Sequence, residues 1–169
     1  FLFLFLFLLK MDNSMKLVLL GANGVGKTSL LVQIIMNRYV ELDDIMMTDS
    51  YRKQAVVDEA YVLLEILDID GMSDSIQNEQ EWVIKVNEGY LILYSITSRS
   101  TFEEVEGIVM FLCENKKMDI RDIPVVLCGT KVDLEDDLRQ VKTEEGRRIA
   151  EEMGCPFFET SAKRRVNIE

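Results

Sequence analysis

Gly21-Ala22-Asn23-Gly24-Val25-Gly26-Lys27-Thr28 fits the pattern G-x-x-x-x-G-K-[ST], and its flanks decide what it is. Upstream, Lys16-Leu17-Val18-Leu19-Leu20 is a short apolar run ended by Gly21, the signature of a buried strand. Downstream, Leu30, Leu31, Ile34 and Ile35 recur at helical spacing and predict a helix from Lys27 to about Met36 with one apolar face. Strand, glycine loop and helix together form a cradle for phosphate. Oxygens of the anion must lie among successive backbone N–H groups, and Gly21, Gly24 and Gly26 keep side chains out of that approach. The helix N-terminus adds a fixed partial positive charge. Lys27 is placed to reach the outer phosphates and the Thr28 hydroxyl to bind Mg²⁺. A glycine-rich turn before an ordinary helix is the plainer alternative, and these flanks disfavour it.

The 169 residues suffice for one domain with a sizeable core, and 48% hydrophobic with 29% charged residues is the balance of a soluble globular chain. A net charge of −11 argues against nucleic acid or an anionic membrane as a partner of the domain body. Backbone dipoles, Lys27 and Mg²⁺ would supply the local positive field that an anionic ligand needs. Cys113, Cys128 and Cys155 lie far apart, each in or beside an apolar run, and read as reduced core residues of a cytosolic protein. The chain has no His, which excludes a His-based acid–base or metal site.

Along the chain, Tyr39 to Asp49 is polar and irregular with scattered Met, an exposed loop. Ser50 to Val57 and Tyr61 to Leu67 are β-prone runs joined at Asp58-Glu59-Ala60, a hairpin. Asp68-Ile69-Asp70-Gly71 is followed by a polar loop with Ser, Asp, Asn and Gln, and Tyr90 to Ile96 is the next strand. Ser100-Thr101-Phe102-Glu103 matches a capping box ahead of a stripe of Phe102, Val105, Val109 and Leu112. Pro124 to Cys128 is a strand, Thr143 to Gly154 a capped helix with Glu144 and Glu145 in its first turn, and Phe157 to Thr160 a last short strand. Alternating strands and helices imply an α/β fold: a mostly parallel six-stranded sheet with one antiparallel strand and helices on both faces. The ligand site then falls at the carboxyl ends of the parallel strands.

Both ends are unusual. Phe1 to Leu9 contain only Phe and Leu, too few residues to span a bilayer and without the flanks of a signal peptide. A translated repeat upstream of a start at Met11 is the expected origin, with a hydrophobic anchor as the alternative. Residues 1–10 are therefore expected outside the fold, and 11–169 are expected to form the domain. At the other end, Arg164-Arg165-Val166-Asn167-Ile168-Glu169 looks like the start of a charged helix, so the final helix is expected to be truncated.

Four segments stand at strand ends: Gly21–Thr28, Asp68-x-x-Gly71, Thr130-Lys131-Val132-Asp133 and Ser161-Ala162-Lys163. In this order the chain from Lys16 to Glu169 resembles the Ras-like small GTPases, which have the P-loop NTPase fold. Asp49-Ser50-Tyr51-Arg52-Lys53-Gln54 is similar to the Ras effector-binding strand, placing the likeness nearer to Ras than to Rab or Arf. Thr130–Asp133 alone would pass for a polar turn, and Asp68-x-x-Gly71 alone for a strand end; their order carries the resemblance.

The resemblance implies a GTP- and GDP-binding switch with Mg²⁺, acting in signal transduction. Nucleotide would be held by Gly21, Asn23, Gly24, Val25, Gly26, Lys27, Thr28 and Ser29, by Tyr39 and Gly71, and by Thr130, Lys131, Asp133, Ser161, Ala162 and Lys163. Asp133 would accept hydrogen bonds from the N1–H and 2-amino group of guanine, which adenine cannot offer; such sites reject the wrong analogue by roughly 10⁴–10⁵. Lys131 would lay its stem along the base, the Ala162 N–H would meet the guanine oxygen, and Tyr39 would stand beside the base or simply pack. Thr28 and Asp68 would serve the metal, and the Gly71 N–H would sense the γ-phosphate. Effectors would dock at Asp49, Ser50 and Tyr51, with exchange and activating proteins as further partners. The resemblance implies a cytoplasmic protein, with the cytoplasmic face of the plasma membrane reached only through a C-terminal tail.

Departures from the pattern gather on the γ-phosphate side. Met46 stands where the family has the Thr that binds Mg²⁺ and γ-phosphate, and Thr48 substitutes only if the loop slips. Met46 and Met47 could instead pack as fillers or contact a partner. Met72 takes the place of the Gln that orients water, so no catalytic residue is assigned. Asp70 replaces a small residue, Asn23 a loop glycine where an arginine finger approaches, and Thr130 an Asn that some Rho-like members also lack. Three readings compete: a GTPase with slow turnover, a non-hydrolysing interaction module with nucleotide as structural ligand, and a P-loop kinase or ATPase. Asp133 and Ser161-Ala162-Lys163 disfavour the last.

Overall fold

A computed structural model describes residues 14–39, 50–57, 60–68 and 77–168. Gly89–Ser95, apolar apart from its ends and buried along its whole length, forms strand β4 in the interior of the sheet. A strand covered on both faces needs this continuous run rather than an alternation. The other strands are β1 (Ser14–Leu20), β2 (Ser50–Val57), β3 (Ala60–Asp68), β5 (Val125–Thr130) and β6 (Phe157–Glu159). Their spatial order is β2-β3-β1-β4-β5-β6. Only β2 against β3 is antiparallel; β1 pairs in parallel with both β3 and β4, and β5 with β4 and β6. This is the six-stranded sheet that the sequence implied.

The two-residue period of the strands sorts the core into two layers. Leu17, Leu19, Leu64, Ile66, Leu91, Leu93, Val126 and Cys128 face one side, where Leu30 and Leu31 of helix α1 (Lys27–Met36) pack. Val18, Leu20, Ile92, Tyr94 and Leu127 face the other. There they meet α2 (Gln77–Val86), α3 (Arg99–Lys116) and α5 (Thr143–Met153), through Ile84, Val105, Leu112, Ala150 and Met153. Each buried Leu or Ile contributes about 1.5–3 kcal/mol of transfer free energy. A four-residue helix, α4 (Glu135–Leu138), follows the end of β5.

Three expectations need correction. The polar stretch before β4 contains α2 rather than only loop. The match to a capping box at Ser100 is not used: α3 opens two residues earlier, with Ser98 at its N-cap, and the Thr101 hydroxyl donates to the Ser98 carbonyl at 2.9 Å. The charged end is not helical. Ser161 and Val166 form an antiparallel bridge, with Arg165 and Asn167 in the left-handed region. Helix α5, by contrast, runs as expected from Thr143 to the left-handed Gly154 cap, with Glu145 accepting the Lys142 N–H at 2.9 Å.

The three cysteines are free. Cys128 is fully enclosed, and burial raises its thiol far above the ordinary range. Burial also lifts Cys155 to about 11 and raises Cys113, so none is a thiolate at neutral pH. Among the described residues no helix is long and apolar enough to cross a membrane.

Candidate functional site

Parallel pairing brings the carboxyl ends of four strands to one edge of the sheet, because Leu19 lies beside both Asp68 and Leu91, and Ser95 beside Thr130. The loop Gly21–Gly26 leaves β1 at this edge. Gly21 has φ +151°, and a Cβ there would lie 2.3 Å from the Leu93 carbonyl oxygen of β4, so only glycine lets the loop start so close to the sheet. Val25 is buried and anchors the loop, while Asn23 and Gly24 are exposed at its crest.

Lys27, only 5% exposed, curls back over the loop, where its ammonium donates to the carbonyls of Gly21 (2.9 Å) and Ala22 (3.1 Å). The Thr28 hydroxyl donates to Asp68 Oδ2 at 2.6 Å, joining the start of α1 to the end of β3. Two further ties reach the loop from the end of β5. Lys131 Nζ donates to the Gly24 carbonyl at 2.6 Å, and Thr130 Oγ1 lies 2.6 Å from the Val25 carbonyl.

Asp133 sits in a short 3₁₀ turn, Val132–Leu134, that follows a left-handed Lys131 (φ 65°). Its Oδ1 accepts a 2.6 Å bond from the Ser161 hydroxyl, and the same Ser161 oxygen accepts the Arg164 N–H at 2.9 Å. The carboxylate is thus oriented by the loop that follows β6. A buttress behind it fixes the two loops relative to each other: Arg139 grips Glu159 through two bonds of 2.6 and 3.0 Å and also reaches Glu135 at 2.9 Å. These partners push the guanidinium pKa upward, chiefly through Glu159.

One cavity of about 260 Å³ gathers these segments. Val25, Gly26 and Ser29 line it from the first loop and helix, Thr130, Lys131 and Asp133 from the second segment, and Ala162 and Lys163 from the third. Tyr39, 44% exposed, closes one side. Leu30, Leu134 and Thr160 also line the cavity and were not among the expected site residues, Leu30 being read only as part of the apolar helix face; each directly adjoins or lies next but one to a motif residue, the signal that marks them. Ser50 and Tyr51 open β2, the outermost strand on one side of the sheet, and do not line this cavity; Tyr51 is half-buried against the core. Gly71, Met72, Asp70, Met46, Met47, Thr48 and Asp49 lie outside the described residues.

The Ras family model matches residues 16–169. The chain belongs to the Ras family. Ras-like protein rasX of Dictyostelium discoideum is 41% identical over 160 residues, covering 95% of this chain and 73% of its own. Ras-like protein rasB of the same organism is 40% identical over 161 residues, covering 95% and 80%. Ras-family membership makes this chain a GTP-binding small GTPase of the switch type, with GTP and GDP as family ligands and regulators and effectors as its general class of partner. Magnesium is typical of the family, and Thr28 and Asp68 fit it: a hydroxyl and a carboxylate meeting at a strand end are the hard oxygen donors this cation takes.

Proposed function

We propose that this Ras-family chain binds guanine nucleotide with the base at Asp133 and the phosphates in the Gly21–Thr28 loop, favours GDP, and hydrolyses GTP slowly or not at all. The observation that supports the binding mode best is the Ser161–Asp133 bond beside a cavity lined by three of the four motif segments. A carboxylate held there can accept two N–H bonds from guanine, and adenine would leave it unpaired. Lys131 and Tyr39 would flank the base, Ala162 and Lys163 would shape its far side, and Lys27 would turn from its loop carbonyls toward the outer phosphates. Bound Mg²⁺ would offset charge on the phosphate oxygens, with Thr28 and Asp68 as the residues that hold it.

The weak hydrolysis rests on residue chemistry. Met72 carries no group that can orient water, Met46 has no hydroxyl, and Asp70 would add a carboxylate near the γ-phosphate that the Gly71 N–H would sense. A ligand shifts a switch only through differential affinity, and these residues leave GTP with little advantage over GDP. A second reading, a non-hydrolysing module with nucleotide as structural ligand, draws on the same Met46 and Met72. In both, effectors would dock on the β2 edge at Asp49, Ser50 and Tyr51 by strand addition, in the cytoplasm or at the cytoplasmic face of the plasma membrane. Competition of GDP and ATP for the purified chain tests the base assignment: GDP should displace a fluorescent GDP and ATP should not. Equal displacement would remove guanine recognition from Asp133.

A further inference from the structure

We infer that the groove between α3 and α5 is a docking site for a basic amphipathic helix of a partner protein. The groove encloses about 470 Å³, more than the 260 Å³ gathered beside Asp133. No residue lines both, so a failed nucleotide reading would leave this site standing. The floor is apolar. Phe102, Val105 and Val109 follow at i, i+3 and i+7 along α3, and Ile149 and Met153 at i, i+4 along α5. Val105 and Met153 are buried, while Phe102, Val109 and Ile149 are half-buried and open to the groove. Phe102 to Val109 spans about 10 Å along the helix axis, the length over which a docked helix presents anchors at i, i+3 and i+7.

The walls carry the sign of the partner. On α3, Glu103 and Glu106 are exposed on successive turns, and among the described residues neither has an ion-pair partner. Arg99 does not neutralise them, because Glu145 holds its guanidinium at 2.7 and 3.0 Å. Arg148 is matched by Glu152, 3.9 Å away on the same helix. The unmatched charge of the groove is therefore that of Glu103 and Glu106. A cationic segment with apolar anchors complements it. Nucleic acid and anionic membrane have the wrong sign. A second copy would bring a net charge of −11 to the same acids, and Phe1 to Leu9 have no charge to offer them.

The test titrates the full chain with a fluorescent peptide of about 15 residues, long enough to form a helix, built of leucine, alanine and lysine. Its leucines stand at i, i+3, i+4 and i+7 and its lysines beside them. The controls carry glutamate in place of lysine, or alanine in place of leucine. The basic peptide should bind and shift the amide signals of 99–109 and 145–153, and neither control should. Glu103→Gln with Glu106→Gln should weaken binding by about three- to tenfold, the range of two exposed charge pairs. Glu104→Gln with Glu114→Gln makes the same charge change on α3 outside the groove, and at physiological salt should stay within about twofold of the parent. Equal weakening by the two pairs would mean general attraction to an acidic chain and would overturn the assignment. So would equal binding of either control peptide. A parent that does not bind the basic peptide, as when a second copy or Phe1–Leu9 already fills the groove, would overturn it too.

Discussion

Removing the Ser161 hydroxyl tests whether Asp133 recognises the base because it is held. Ser161 is fully buried, and its oxygen makes two contacts: it donates to Asp133 Oδ1 at 2.6 Å and accepts the Arg164 N–H at 2.9 Å. In Ser161→Ala the carboxylate loses its orienting donor and the Arg164 N–H loses its acceptor. A hydrogen bond to a charged group is worth about 1.5–3 kcal/mol, so GDP affinity should fall by roughly 10- to 150-fold. Asp133→Asn removes the charged acceptor itself and should cost about 2–5 kcal/mol of GDP binding through unmet hydrogen bonds. The two effects share one group, so the double variant should be little worse than Asp133→Asn alone. Titration of fluorescent GDP against the parent, both singles and the double closes this cycle. Additive losses would mean that Ser161 acts elsewhere, and unchanged affinity in Asp133→Asn would mean that the base sits elsewhere.

Two further outcomes are expected. Arg99, through bonds of 2.7 and 3.0 Å, and then the Lys142 N–H hold the Glu145 carboxyl at about 2, below its ordinary 4.5. A depressed acid stabilises the fold above its ordinary pKa and loses that contribution as pH falls through its folded value. The melting difference between parent and Glu145→Gln should therefore be constant above pH 4.5 and close as pH falls toward 2; a difference that persists at pH 2 would contradict it. Thr28→Ala removes the hydroxyl proposed to hold Mg²⁺ and the 2.6 Å bond to Asp68. Mg²⁺ affinity, measured through GDP release against free Mg²⁺, should weaken by at least about tenfold, and an unchanged Mg²⁺ dependence would place the metal elsewhere.

Where periodicity was strong, the sequence was enough. Lys27–Met36 folds as read, and the Phe157 and Ser50 strands differ from their expected ends by no more than a residue. Helix α2 escaped because its apolar face is narrow: Ile84 is fully buried, but Trp82 is 64% exposed, so Gln77-Asn78-Glu79-Gln80-Glu81 dominates the pattern. The end of the chain looked helical from its charges, while Arg165 and Asn167 take left-handed angles that break a helix. Ser100 and Glu103 had the right spacing for a cap, but the Thr101 hydroxyl captured the local backbone instead, accepting the Ser95 N–H at 3.0 Å as well as donating to Ser98. The candidate site was legible in its residues and not in its fastenings. Nothing in the order of letters joins Arg139 to Glu159 or Thr130 to Val25, because the first bond depends on how one crossover returns to the sheet and the second on strand register across several.

Single-turnover GTP hydrolysis decides whether this guanine-nucleotide switch is weakened on its γ-phosphate side. The full chain, loaded with GTP and Mg²⁺, is compared with the triple variant Met46→Thr, Asp70→Ala, Met72→Gln. The parent should hydrolyse below the roughly 3–5 × 10⁻⁴ s⁻¹ of unassisted Ras, and the triple variant should rise to that rate. A parent that already turns over GTP at the Ras rate would contradict the account.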